Sequence, residues 1–177
     1  MNNIYSRLLT DIQDRLAEQI PELQLIDLDL GQDQTETLPA LAYPAALVDA
    51  GSTEFSGMGG LSQFATSTLS VRILTANYAS SAQFAPEAAR EEAMRAFELD
   101  DKVVSALHGW TPDGGYCQAL ARTADRSENR NDIGLRVRVI TFVTAWEAID
   151  DGSDATIVPL RDKDLIITTN PKQSLWN

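Results

Sequence analysis

The stretch from Leu135 to Trp146, LRVRVITFVTAW, constrains the fold of this chain more than any other. Its β-branched and aromatic residues give it the composition of one long strand. Leu135, Val137, Val139, Thr141, Val143 and Ala145 share one face, while Arg136, Arg138, Ile140, Phe142, Thr144 and Trp146 share the other. That second face begins with two arginines that can meet water and turns apolar from Ile140 to Trp146. Apolar surface on both faces must be covered on both faces. A helix of the same subunit covers one face of a sheet at a time, so the strip from Ile140 to Trp146 is expected to be closed by another subunit.

The rest of the chain supplies the partners of this strand. Ile4, Leu8, Ile12, Leu16 and Ile20 recur every four residues, which predicts an amphipathic helix over 3–20 that Pro21 ends. Alternation over Leu23 to Leu30 predicts a short strand, and YPAALVDA (43–50) and LSVRILTANY (69–78) predict two more. Between the latter two lies GSTEFSGMGGLSQFATS, rich in Gly, Ser and Thr, expected to be a long mobile hairpin connection. Good helix formers over 87–108 predict a second helix after Pro86, with Ala93, Phe97, Val104 and Leu107 as its buried stripe and Gly109 as its stop. A turn at TPDGG leads to a strand over 116–124 and, through the polar loop DRSENRND, to the long final strand. The last two strands read as a hairpin. The expected architecture is therefore α+β: a mostly antiparallel sheet of four to five strands against two main helices, over residues 1–146. Residues 147–177 are acidic at first and then hold two short apolar pieces, IVPL and DLIITT, too little to fold alone. They are expected to form a C-terminal arm, extended or ordered on assembly.

Charge and composition exclude several functions. Fourteen Lys and Arg against 26 Asp and Glu leave a net charge of −12, the opposite of the balance that counterion release rewards in a nucleic-acid binder. No apolar run is long enough to span a bilayer, and the N-terminus mixes acids and bases with its apolar residues, unlike a signal peptide. With a single cysteine, Cys117, no intrachain disulfide forms, consistent with the cytoplasm.

Nothing in the chain spells out chemistry. One histidine, His108, and one cysteine do not make the familiar zinc sets or a Cys/His nucleophile. His108 at a helix end fits capping or packing, and Cys117 inside an apolar stretch fits a small buried hydrophobe. The glycines of SGMGG precede a strand instead of opening a helix, so they do not cradle a phosphate. The acids of IDDGSDAT lack the frame of a calcium loop and read as a solvated turn. Arg122, Arg126, Arg130, Arg136 and Arg138 crowd the final hairpin, either to pair with acids across a subunit boundary or to keep the hairpin soluble. No catalytic, cofactor-binding or metal-binding residue is assigned, and the chain is not expected to be an enzyme.

The pieces IYSRLLTDIQDRLAEQI, YPAALVDAG, STLSVRILTA, the helix ending VVSALHGW and the final strand LRVRVITFVTAW, in this order, resemble the tail-terminator and tail-completion proteins of long-tailed bacteriophages. The resemblance spans roughly residues 3–146 and rests on element order and texture. It implies a structural virion protein, assembled in the host cytoplasm, that forms a hexameric ring capping the tail tube. Its partners would be further copies of itself, the tail tube protein and a head or neck connector, with genomic DNA passing through the lumen without specific binding and no membrane contact. Neck and head-completion connectors share much of this texture and are the alternative. A small-molecule-binding α+β domain, or an adaptor using its acidic tail, ranks behind both. For subunit contacts the expected residues are Ile140, Phe142 and Trp146 on the strand, Phe55 and Phe64 in the hairpin connection, and Leu165, Ile166 and Ile167 in the arm.

Overall fold

The computed structural model describes residues 3–149, apart from 35, 38, 60–61 and 77–81. Helix α1 (Ile4–Gln19) follows the four-residue repeat: Leu8, Ile12 and Leu16 are buried, and Ile20 joins them just past the helix end. The Asn3 side-chain oxygen accepts from the Tyr5 N–H at 2.9 Å, which satisfies one of the free amides of the first turn. Helix α2 (Glu87–Leu107) starts directly after Pro86 and ends at His108. Gly109 then adopts φ +79°, a left-handed conformation that costs glycine little, and donates its N–H to the Leu120 carbonyl at 2.8 Å.

The buried face of α2 differs in phase from the expected one. Ala93 and Leu107 are buried as expected, but the stripe runs through Leu99, Val103 and Ala106, and Phe97 is 54% exposed. Leu99, Val103, Ala106 and Leu107 keep i, i+4, i+7, i+8 spacing, and that longer set decides which side faces the sheet. Phe97 instead lies beside the Arg136 guanidinium, 4.6 Å from its ring centroid.

Five strands form one sheet in the order β1-β2-β3-β5-β4: β1 (Leu25–Leu28), β2 (Ala45–Gly59), β3 (Ser62–Ala76), β4 (Ala121–Ser127) and β5 (Leu135–Ile149). The β1–β2 pair is parallel and the others are antiparallel, so the fold is α+β with a mostly antiparallel sheet. The expected hairpin connection is largely strand. β2 and β3 continue through it, with Thr53 opposite Ser67, Phe55 opposite Ala65 and Ser56 opposite Phe64. A register shift between Ala50 and Thr53 hides this in the sequence, because one extra residue resets the two-residue alternation. Gly51 lies in that shift, where a Cβ would come within 3.2 Å of the Thr68 carbonyl oxygen. Strand β4 begins later than expected and runs into the polar segment that read as a loop; every one of its residues is exposed.

Two apolar clusters hold the sheet. The larger lies under α1 and α2 and combines Leu8, Ile12 and Leu16 with Val103 and Leu107, and with Val48, Leu69, Val71 and Ile73 of the central strands. Ile140, Phe142 and Trp146 belong to this cluster. They are 1%, 1% and 5% exposed, so the expectation that a second subunit closes this strip is corrected: the chain's own helices close it. Both helices lie over this one face, which leaves the other face of the strand to residues outside the helices. The Trp146 ring is met edge-on by Tyr5 of α1, with centroids 5.6 Å apart and planes at 85°. The opposite face holds a smaller cluster of Ala45, Leu47, Leu74, Leu135, Val137 and Val139, closed by Leu25, Leu41, Tyr43 and Ile133 without any helix.

Candidate assembly surface

Strand register sorts the expected contact residues. Phe55, Ala65 and Trp146 share one row across β2, β3 and β5, on the face that carries the helices. Trp146 is inside that row under Tyr5, while Phe55 sits at its outer end and is 52% exposed. Phe64 pairs with Ser56 and Glu147 on the other face and is half-buried. Of the expected contacts, Phe55 and Phe64 thus stay at the surface, on opposite faces. Leu165, Ile166 and Ile167 lie outside the described residues.

Beside Phe55 the structure opens a cleft of about 510 Å³ that the sequence did not suggest. Tyr5 and Leu9 of α1 form one wall, Val48, Ala50 and Phe55 of β2 the floor, and Leu28 and Leu30 the far rim. Leu30 is 79% exposed. A strand over 23–30 would have carried Leu30 along the sheet, but β1 stops at Leu28, and the backbone turns away through Gly31 at φ +79°. The sequence signal for this turn is Gly31, directly after Leu30.

Several charged groups are paired within the chain. Arg136 makes a two-pronged contact to Asp100 of α2, at 3.2 and 2.5 Å, with both side chains nearly buried. Arg138 pairs with Asp125, Arg126 with Glu128 at 2.6 Å, and Arg130 with Asp132 at 3.2 Å. The crowded arginines therefore meet acids of their own subunit. On the face away from the helices, Arg72 sits among Asp33, Asp29 at 3.3 Å and Glu128 at 2.5 Å. Burial opposes its charge, but hydrogen bonds and attraction from Asp33 and Glu128 prevail and hold the guanidinium above its ordinary value. Hydrogen bonds from Arg72 and then Arg126 hold the Glu128 carboxyl below the usual carboxylate range. This cluster ties the segment after β1 to the far hairpin across the middle of the sheet.

The groups with latent reactivity serve packing. His108 accepts the Arg122 N–H on Nδ1 at 3.1 Å, joining the end of α2 to β4. Cys117 is buried, and burial pushes its thiol up and away from the reactive thiolate. Tyr116 donates to Asp11 at 2.6 Å under the Arg7 guanidinium, and burial followed by that bond pushes its phenol up. A second cleft of about 680 Å³ lies between α2 and the lower end of the sheet, but Lys102 there pairs with Glu22 and Arg95 with Glu92. Among the described residues no group of three or more His, Cys, Asp and Glu side chains is placed to hold a metal ion, and no helix is long and apolar enough to cross a membrane.

The family model for phage tail terminator proteins matches residues 1–144. The chain belongs to the phage tail terminator family. As a tail terminator it is a structural component of the phage tail and of the virion. The family match covers both helices and all of β1–β4, and ends within β5 two residues before Trp146. Among solved structures the chain is similar to one from the virion of a native gene transfer agent particle, with 13% identity, a TM-score of 0.47, and coverage of 84% of this chain and 100% of that one. No curated protein matches it.

Proposed function

We propose that this tail terminator assembles as a homo-oligomeric ring, a hexamer, that caps the tail tube and presents a surface to the head or neck, with the genome passing through its lumen. The observation that carries this reading is the asymmetry of the sheet. One edge is the short β1 with the apolar cleft beside it; the other is β4, exposed throughout and set with arginines and acids. Two unlike edges on one rigid body favour head-to-tail contacts, and such contacts give a closed ring when the rotation per subunit divides a full turn. A net charge of −12 lets DNA pass without adhering. The ring has no catalytic task in this reading.

Mass photometry and negative-stain electron microscopy of the purified chain, alone and mixed with its tube protein, test the proposal. Rings, and their attachment to tube ends, are expected. A monomer at every concentration that never joins a tube end would overturn it. Attachment to isolated heads or necks without affinity for tubes would move the protein to the connector position.

A further inference from the structure

The cleft beside Phe55 continues into an open strand edge. β2 is 15 residues long, and β1 pairs with it only over Ala45–Val48. From Gly51 onward, among the described residues, no strand pairs with that side of β2, and over Gly51 to Met58 it is exposed save for a half-buried Thr53. An open edge offers unpaired N–H and C=O groups to any extended chain, and proteins usually blunt such edges with lysine, proline or inward charge. GSTEFSGMG has one charged residue, no lysine and no proline. Directly alongside, Leu28, Leu30 and Phe55 expose apolar surface against Tyr5 and Leu9. An edge that is open over several residues and flanked by an apolar cleft is able to receive a strand.

We propose that Leu165–Thr169 of a neighbouring copy docks here as an added strand, continuing the sheet beyond the end of β1. The proposal rests on the ring reading above. The segment LIITT has the β-branched composition of a strand, and period two would put Leu165 and Ile167 together toward Tyr5, Leu9 and Phe55. Asp49 lines the cleft and Glu54 adjoins Phe55, while residues 155–177 carry Arg161, Lys163 and Lys172 against Asp162 and Asp164, a small positive excess in an otherwise acidic chain. Residues 150–164, between the end of β5 and the segment, reach up to ~50 Å when extended. A domain of this size has a radius of gyration of about 15 Å, so the segment reaches an adjacent subunit. β5 ends at Ile149, opposite Ser62 and so at the same end of the sheet as the Gly59 end of the open edge; when each copy gives one strand to the next and takes one from the previous, head-to-tail exchange closes as a ring.

Cysteine pairing in the full chain tests this. In a Cys117→Ala background, one preparation carries Phe55→Cys and a second, distinguishable by a tag, carries Ile167→Cys. Mixed under assembly conditions and mildly oxidised, they are expected to give a disulfide-linked heterodimer, and a chain carrying both changes a ladder of linked multimers. A link formed only within one chain, or none, overturns the proposal. Ile167→Asp alters no residue of the helix-capped body over 3–149, so it should leave the thermal melt unchanged while raising the concentration needed for rings roughly tenfold or more. If Ile167→Asp rings form at the unaltered concentration and still cap tubes, strand docking is wrong and the capping function stands. If the unaltered chain forms no ring and ignores tube ends, the capping function fails and takes the docking with it.

Discussion

Replacing Phe142 with alanine separates a core residue from an interface residue. Phe142 is 1% exposed, sits opposite Leu69 of β3, and belongs to the cluster with Leu8, Ile12, Val103 and Leu107. Truncating a buried phenylalanine removes its transfer free energy and leaves a cavity that surrounding helices close only in part, a cost of about 3–5 kcal/mol. For a chain of this length each kcal/mol lowers the melting temperature by about 2–4 °C, so Phe142→Ala should lower it by ~6–20 °C. Urea unfolding followed by far-UV circular dichroism and tryptophan fluorescence reads this directly, with Trp146 reporting from the same cluster. The loss should be the same at every protein concentration, because the lost contacts lie inside one subunit. Phe142→Asp should fail to fold rather than fold and fail to assemble. A Phe142→Ala chain that loses less than ~1 kcal/mol yet no longer forms rings would refute the assignment of this strip to the core.

Breaking the Arg136–Asp100 pair at one end should cost about 3 kcal/mol in urea unfolding, since Asp100→Ala leaves a nearly buried guanidinium without its anion. Asp100→Leu with Arg136→Met should recover most of that loss, and a double variant no more stable than Asp100→Ala would count against the pair. Glu128 sets a pH dependence. Its folded-state value lies below the ordinary carboxylate value of about 4.3, so the unfolded chain binds its proton more readily; the stability it contributes is complete above that value and is lost as pH falls through the folded one. Glu128→Gln should therefore be less stable than the unaltered chain at pH 7, with the gap closing toward pH 3. A gap that does not change with pH would remove Glu128 from the account.

Much of the secondary structure was legible because it is local. The four-residue repeat of α1 and the two-residue repeat of LRVRVITFVTAW are statements about neighbours on one element, and both elements formed where those repeats lie. The stop at Gly109 was legible for the same reason, since a left-handed residue after a helix is a property of the glycine itself. The β2–β3 hairpin was only half legible. Its distal part is Ser, Thr and Gly, which turn and strand both accept, and the register shift after Ala50 breaks the alternation that would have decided between them. Phe97 failed similarly, because several stripes fit one helix and the sheet beneath chooses among them.

By itself the sequence determined that a long strand with two apolar faces needs cover on both and that two amphipathic helices were available, and its element order and texture resembled those of tail terminators. It could not say which cover went where. Only the tertiary structure placed α1 and α2 side by side on the face of Ile140, Phe142 and Trp146, and left the opposite face to Leu41, Tyr43 and Ile133. The reason is that periodicity fixes which residues of one element point the same way, while the pairing of faces is a choice among distant segments made by total burial. That choice moved the open surface from the middle of β5 to the edge of β2, where Phe55 and Leu30 remain exposed.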